Sequence, residues 1–240
     1  MKKYEFTESE KQGSRTLFRI KAIRDFGDVK SGEEGGLIQS ENNLSHEGLC
    51  WVFDGGEVMD GAKVQDDAQV IKGAISGKAI VSGNSTIEGD VEIYDEAEIT
   101  ENALIKGNAV ISKKAKVSGN ALVSGDATIT DSVSVSDKAI VTGDALISGN
   151  VKVYGEAKIN GGDLMDNAEI YEKATVNSGA TISDNAKVHG EAVVGEDVYV
   201  SGNADIDVKR ELEAGTYEEP LMEGINWFKE FRKAFIHLCD

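Results

Sequence analysis

From Cys50 to Val208 the chain repeats a six-residue unit, small-x-aliphatic-x-turn-turn, about 27 times. In the longest unbroken run the small position falls on Ala79, Ser85, Val91, Ala97 and Ala103, then on every sixth residue to Ala157. Two residues after each stands an aliphatic one: Val81, Ile87, Ile93, Ile99, Ile105 and onward to Ile159. Period-two alternation with β-branched side chains describes a short strand that buries one face, and the spacings of three and four that a helix needs are absent. The last two positions are commonly Gly-Asn, Gly-Asp or Asp-Asn, as at Gly83-Asn84, Gly143-Asp144 and Asp184-Asn185. These residues tolerate left-handed backbone and turn the chain after each strand. A unit this short cannot bury its apolar face alone. Stacked on its neighbours it can, so the expected fold is an all-β solenoid.

Two units are one residue short. Ala68 is followed five residues later by Gly73, and Ala157 by Gly162. The shortened units are fifteen units apart, a multiple of three. With three units per coil, both deletions therefore fall on one side of a triangular prism. About nine coils result, a rod roughly 40 Å long at one strand spacing per coil.

The large rings avoid this rod. All seven Phe and both Trp lie outside residues 54–208, because a narrow core built for Ala, Val and Ile has no room for them. The chain divides into an N-terminal cap (1–49), the solenoid (50–208) and a linker with a C-terminal amphipathic helix (209–240). The cap holds one strand candidate, Leu17 to Ile23, with Phe6, Phe18, Ile20, Ile23 and Phe26 available to cover the first coil's open strand edges. Gly32-Glu33-Glu34-Gly35-Gly36 lacks the lysine and spacing of a phosphate loop and reads as a tight turn. Beyond Pro220, Leu221, Ile225, Phe228, Phe231, Phe235 and Leu238 recur at helical spacing, with Trp227 among them. Cys50 and Cys239 are too few for a disulfide framework. The N-terminus MKKYEFTESE lacks the apolar stretch of a signal peptide, so the expected compartment is the cytoplasm, with no membrane contact.

The segment Asp25–Asp54, DFGDVKSGEEGGLIQSENNLSHEGLCWVFD, followed at once by the hexads, resembles the start of the YdcK-like hexapeptide-repeat proteins of bacteria and their phages. That resemblance implies a left-handed β-helix related in fold to the trimeric hexapeptide acyltransferases, and host cytoplasm as the compartment if a phage encodes it. Catalysis does not follow from it. The hexapeptide acyltransferases generally use a histidine base at a cleft between subunits. Here the histidines are His46, His189 and His237, and the repeat carries no long loop to frame a cleft. They are too scattered for a three-histidine zinc site. No catalytic residue, cofactor or metal ligand is assigned, and an acyltransferase-like enzyme ranks third among the functional readings.

The outward position between the small and aliphatic residues carries more information. On one side of the prism it reads Trp51, Gln69, Thr86, Leu104, Leu122, Ile140, Lys158, Thr175 and Val193, and an adjacent side adds Val110 and Leu146. An apolar stripe on a charged rod marks a contact surface. The leading expectation is a non-enzymatic, self-associating scaffold, dimer or trimer, whose interface uses Leu104, Leu122, Ile140, Val110 and Leu146. The C-terminal Ile225, Trp227, Phe228, Phe231 and Phe235 would contribute to it. Net charge supports a runner-up. The chain carries −18 overall, and residues 54–208, with 27 acidic side chains against 12 lysines and no arginine, account for −15. Such a rod does not bind nucleic-acid phosphates directly. At one net charge per about 2.7 Å, against about 1.7 Å for duplex DNA, it could instead act as a nucleic-acid mimic. Asp90, Asp95, Glu96, Asp126, Asp131 and Asp144 would then face a basic nuclease or other defence enzyme of a host.

Overall fold

The computed structural model of the chain describes residues 1–222. Their architecture is a parallel β-solenoid of about ten turns, closed at its N-terminal end by an antiparallel hairpin. The register follows the hexads. Leu104 pairs with Leu122, Leu122 with Ile140 and Ile140 with Lys158, each 18 residues on, while Leu146 pairs with Asp163, 17 on. Each shortened unit gives three such 17-residue steps, Lys152 to Glu169 and Lys158 to Thr175 among them, and Glu57 to Ala74, Lys63 to Ile80 and Gln69 to Thr86 nearer the cap. Three units make one coil, and the shortened units Ala68–Lys72 and Ala157–Gly161 lie in the same column, five coils apart.

Three columns of outward residues define three faces. The first runs from Trp51 and Gln69 through Leu122 to Val193. The second contains Glu92, Val110, Thr128 and Leu146, and the third Lys63, Ile80, Glu98 and Lys116. Inside, the small and aliphatic positions are fully buried along the whole stack, from Ala79 and Val81 to Ala204 and Ile206. Ser85, at a small position, is buried too, and its hydroxyl donates to the Ser82 carbonyl at 2.8 Å.

Stacking reaches beyond the recognisable repeat in both directions. Leu37 and Ile38 pair with Glu57 and Val58, and Leu44 bridges to Val64, so part of a coil precedes Cys50. At the far end Gly215–Tyr217 pairs with Val198–Val200, and Leu221–Met222 with Ile206–Asp207. A tenth, irregular coil therefore follows the nine expected. Leu221 and Met222 are strand residues rather than the start of a helix, because the last coil's edge supplies backbone partners. The rest of the expected helix, with Ile225, Trp227, Phe228, Phe231, Phe235 and Leu238, lies outside the described residues, as do His237 and Cys239.

The cap contains more strand than Leu17 to Ile23. β1 (Tyr4–Gln12) and β2 (Arg15–Ala22) form an antiparallel hairpin, β3 (Glu34–Ile38) pairs with β2, and β3 runs parallel to β4 (Trp51–Val58). The glycine-rich stretch is only partly a turn. Gly32 turns with φ +93°, whereas Gly35 and Gly36 are strand residues pressed on the Val52 and Gly56 carbonyls, where a Cβ would approach to 2.5 and 2.2 Å. Trp51 holds its column position but is buried, because Tyr4 and Phe26 pack edge-on to its ring at 6.3 and 5.4 Å.

Beneath these rings Lys3 is buried, with Nζ donating to the Cys50 carbonyl at 2.8 Å and lying 3.2 Å from Cys50 Sγ. Burial lowers the Lys3 pKa from 10.5, and burial raises the Cys50 thiol from 9.0 and the Tyr4 phenol from 10.0. Groups whose folded pKa lies above the unfolded value stabilise the fold below the unfolded value and lose that contribution as pH rises through the folded one. Lys3 acts oppositely: the penalty of burying its charge is relieved as pH approaches 10.5. Above about pH 9 the contribution of the thiol is lost while the Lys3 penalty eases, so Cys50→Ala should make the thermal midpoint, followed by circular dichroism from pH 8 to 11, fall less than in the wild type. Identical pH dependence of the two proteins would contradict this role for the buried thiol.

Candidate functional site

Face one is the candidate. Below Trp51 its outward column reads Gln69, Thr86, Leu104, Leu122, Ile140, Lys158, Thr175 and Val193, and no member is a carboxylate. Leu104, Leu122 and Ile140 sit in consecutive rungs and are half-exposed, held flat by the ladder bonds on either side. The structure brings these three together as the sequence indicated. Val110 and Leu146 lie on face two, two rungs apart with Thr128 between them, so they form no continuous stripe with the triplet; Leu146 is 46 % exposed. Face three alternates charge, with Lys116 bridged to Glu98 at 2.9 Å and Lys152 to Glu169 at 2.8 Å.

The six acidic residues singled out as a surface occupy two corners and have partners within the rod. Asp90, Asp126 and Asp144 line the corner between faces one and two. There Asp90 meets Lys72 Nζ at 2.7 Å, and Asp126 accepts from Asn108 Nδ2 at 2.8 Å. Asp144 accepts from Ser178 Oγ at 3.3 Å. Asp95, Glu96 and Asp131 line the corner between faces two and three. Asp131 takes Lys113 Nζ at 2.6 Å and the Gly149 N–H at 3.3 Å, Asp95 takes the Lys113 N–H at 3.2 Å, and Glu96 takes Lys78 Nζ at 3.4 Å. The hydrogen bond from Lys113, followed by the Gly149 N–H, holds the Asp131 carboxyl below the usual carboxylate range.

These contacts belong to a wider device. The first turn residue of many units sits at φ near +60°, and where it is acidic its carboxylate in most cases accepts a backbone N–H one coil later. In one column Asp66 accepts from Gly83, Glu101 from Gly119, Asp137 from Gly155 and Glu172 from Gly190, at 2.9–3.1 Å. Acid and glycine alternate there, and the stacking alternates with them. The N–H···O contact from the second turn residue to the next coil is 2.5–2.6 Å where glycine leads to acid (Asn84 to Glu101, Asn120 to Asp137). It is 2.9 Å where acid leads to glycine (Asp67 to Gly83, Asn102 to Gly119). A glycine lets the next turn approach; a side chain on this Cβ, pointing up the stack, holds it off. Any substitution of Gly119 places a Cβ 2.6 Å from the Asp137 nitrogen, and the next turn must move to the wider spacing to receive it. Gly119→Asn should cost about 1 kcal/mol, since Asn adopts left-handed backbone. Gly119→Val should cost about 3 kcal/mol, because a β-branched residue at positive φ adds its own strain. Urea unfolding of the two variants would compare them, and equal costs would refute the spacing argument.

Other ladders were not anticipated. Asn84, Asn102 and Asn120 link side chain to side chain, as do Asn150, Asn167, Asn185 and Asn203. Tyr154, Tyr171 and His189 stack with ring centres 5.0 and 4.6 Å apart. His189 is not a free surface imidazole: its side chain is 14 % exposed, its ring ends the stack on Tyr171, and Nε2 lies 2.7 Å from Asp205. The signal was a recurrence at the turn and fourth positions every 18 residues, or 17 across the shortened unit, the same period as the core.

Catalytic geometry does not gather around the histidines. His46 stacks on Tyr4 at 4.3 Å and accepts the Lys3 N–H on Nδ1 at 3.3 Å, in the cap, many coils from His189. Among the described residues no group of three His, Cys, Asp or Glu is placed to hold a metal ion, and no helix is long and apolar enough to cross a membrane. A shallow cleft of about 550 Å³ runs along the corner beside the tyrosine ladder, lined by Glu156, Glu172, Lys173, Glu191 and Asp207. A second, of about 540 Å³, lies beside His46, Asp60 and Lys63. No protein-family model matches the chain, and no curated protein matches it in sequence.

Proposed function

We propose that the protein is a rigid, non-enzymatic scaffold that associates with further copies of itself through face one. The observation that carries this reading is the distribution of charge. A rod with net charge −15 over residues 54–208 keeps the central outward column of one face, from Gln69 to Val193, free of carboxylates and places its apolar rungs there. Solubility alone asks for charge on every face of a flat β-rod, since an uncharged sheet face invites association. Two acidic rods can meet on face one with no carboxylate in the central columns that face each other, which neither other face allows. The hexapeptide-repeat character of the fold, and the resemblance of residues 25–54 to the YdcK-like proteins, fit a rod used as a platform.

Sedimentation velocity at rising protein concentration, in low and in high salt, tests this reading. We expect a discrete oligomer that persists or strengthens as salt rises, because salt screens repulsion between acidic rods and leaves apolar contact intact. A monomer under every condition would overturn it. The nucleic-acid-mimic reading draws on charge alone, and it predicts the opposite salt response for binding to a basic partner.

A further inference from the structure

The apolar rungs of face one are centred on the rod. Leu122 occupies the fifth of the nine rungs that run from Trp51 to Val193, with Leu104 and Ile140 on either side. The rings over Trp51 withdraw the first rung from any contact, so the free column runs over eight rungs from Gln69 to Val193, and the apolar triplet occupies its third to fifth.

We propose that face one forms an antiparallel dimer whose two-fold axis passes through Leu122 along the strand direction. This rests on the self-association proposed above and adds its geometry. The axis sets Leu122 against its own copy and Leu104 against Ile140 of the second copy, so each apolar rung meets an apolar rung. It also resolves the charges bordering the triplet. Lys158 crosses from Thr86 and falls diagonal to the exposed Glu88, and Lys106 crosses from Thr142. Parallel copies, in a dimer or a trimer, would bring Lys106, Lys158 and Glu88 level with their own like-charged counterparts. The antiparallel arrangement has one electrostatic cost: at the corner Asp126 approaches its own copy, while Asp144 faces Asn108. Asp126 is the carboxylate that Asn108 Nδ2 already reaches at 2.8 Å.

Cysteine pairing distinguishes the arrangements. In a Cys239→Ser background, Leu122→Cys should form a disulfide dimer under mild oxidation. Leu104→Cys alone and Ile140→Cys alone should not, because copies of either residue lie two rungs apart, roughly 9.6 Å along the rod, beyond the Cα span of a disulfide. A mixture of the Leu104→Cys and Ile140→Cys proteins should cross-link at least tenfold faster than either alone. Rapid self-pairing of Leu104→Cys would overturn the antiparallel geometry and leave self-association standing. A monomeric mass, with no pairing above the rate of random collision for any variant, would overturn self-association itself.

Discussion

Replacing Ile129 with alanine should destabilise the rod by about 4 kcal/mol and lower its thermal midpoint by several degrees. Ile129 is fully buried on face two, stacked between Ile111 and Ile147. The solenoid core holds one aliphatic and one small side chain per face per coil, so each large residue fills its layer almost alone. The walls cannot close on the gap. The strands above and below are fixed at ladder spacing by backbone hydrogen bonds such as Thr128 N–H to the Ala145 carbonyl at 2.8 Å and Thr130 N–H to the Ile147 carbonyl at 3.0 Å. A cavity that cannot collapse puts the substitution at the upper end of the usual range for a deleted side chain. Position along the rod adds a second signature. Repeat proteins are stabilised chiefly by contacts between neighbouring coils, so a lesion at mid-rod should also broaden the urea transition, as the two halves lose their coupling. A cost below about 1 kcal/mol with an unchanged transition would mean that the interior is far more plastic than its geometry allows.

Leu122→Glu should abolish self-association while leaving the monomer folded. The side chain is half-exposed and points away from the core, so its replacement should change monomer stability by less than about 1 kcal/mol. On the proposed axis, however, it would place two carboxylates against one another in an apolar contact, with Leu104 and Ile140 stripped of their partners. Like charges brought together without solvent cost several kcal/mol, enough to weaken dimerisation at least a hundredfold. Ile80→Glu, a half-exposed substitution on face three, serves as the control and should leave the oligomer intact. Sedimentation of both variants reads the result. An oligomer that survives Leu122→Glu and dissociates with Ile80→Glu would move the interface to face three.

How much of this was legible in the sequence follows from what was periodic. The interior positions between Cys50 and Val208, the three-face geometry and the shared column of the two deletions came from the hexad alone, because each buried side chain repeats the same constraint six residues later. The ends were less readable. β1 has a single fully buried residue, Tyr4, among charged neighbours, so no alternation marks it as a strand. Residues 209–222 lack the hexad yet pair with the coil beneath, because an open strand edge supplies the partner and asks little of the side chains. Position in a column also did not predict exposure: Trp51 kept its place and lost its solvent to the cap. The acidic turns were visible as charge but not as structure. Their role shows only when Asp66, Gly83, Glu101 and Gly119 are read down one corner, where each carboxylate is seen to satisfy the turn above it.

The central claim is lateral association of rods, and small-angle X-ray scattering of the wild-type protein tests it most directly. A single solenoid of about ten turns is roughly 48 Å long at one strand spacing per turn, before the cap is added. The account predicts an oligomer whose cross-sectional radius is well above that of one rod while its maximum dimension stays close to a single rod's length. A maximum dimension near twice that length with an unchanged cross-section would show the rods joined end to end, and would contradict face one as the interface.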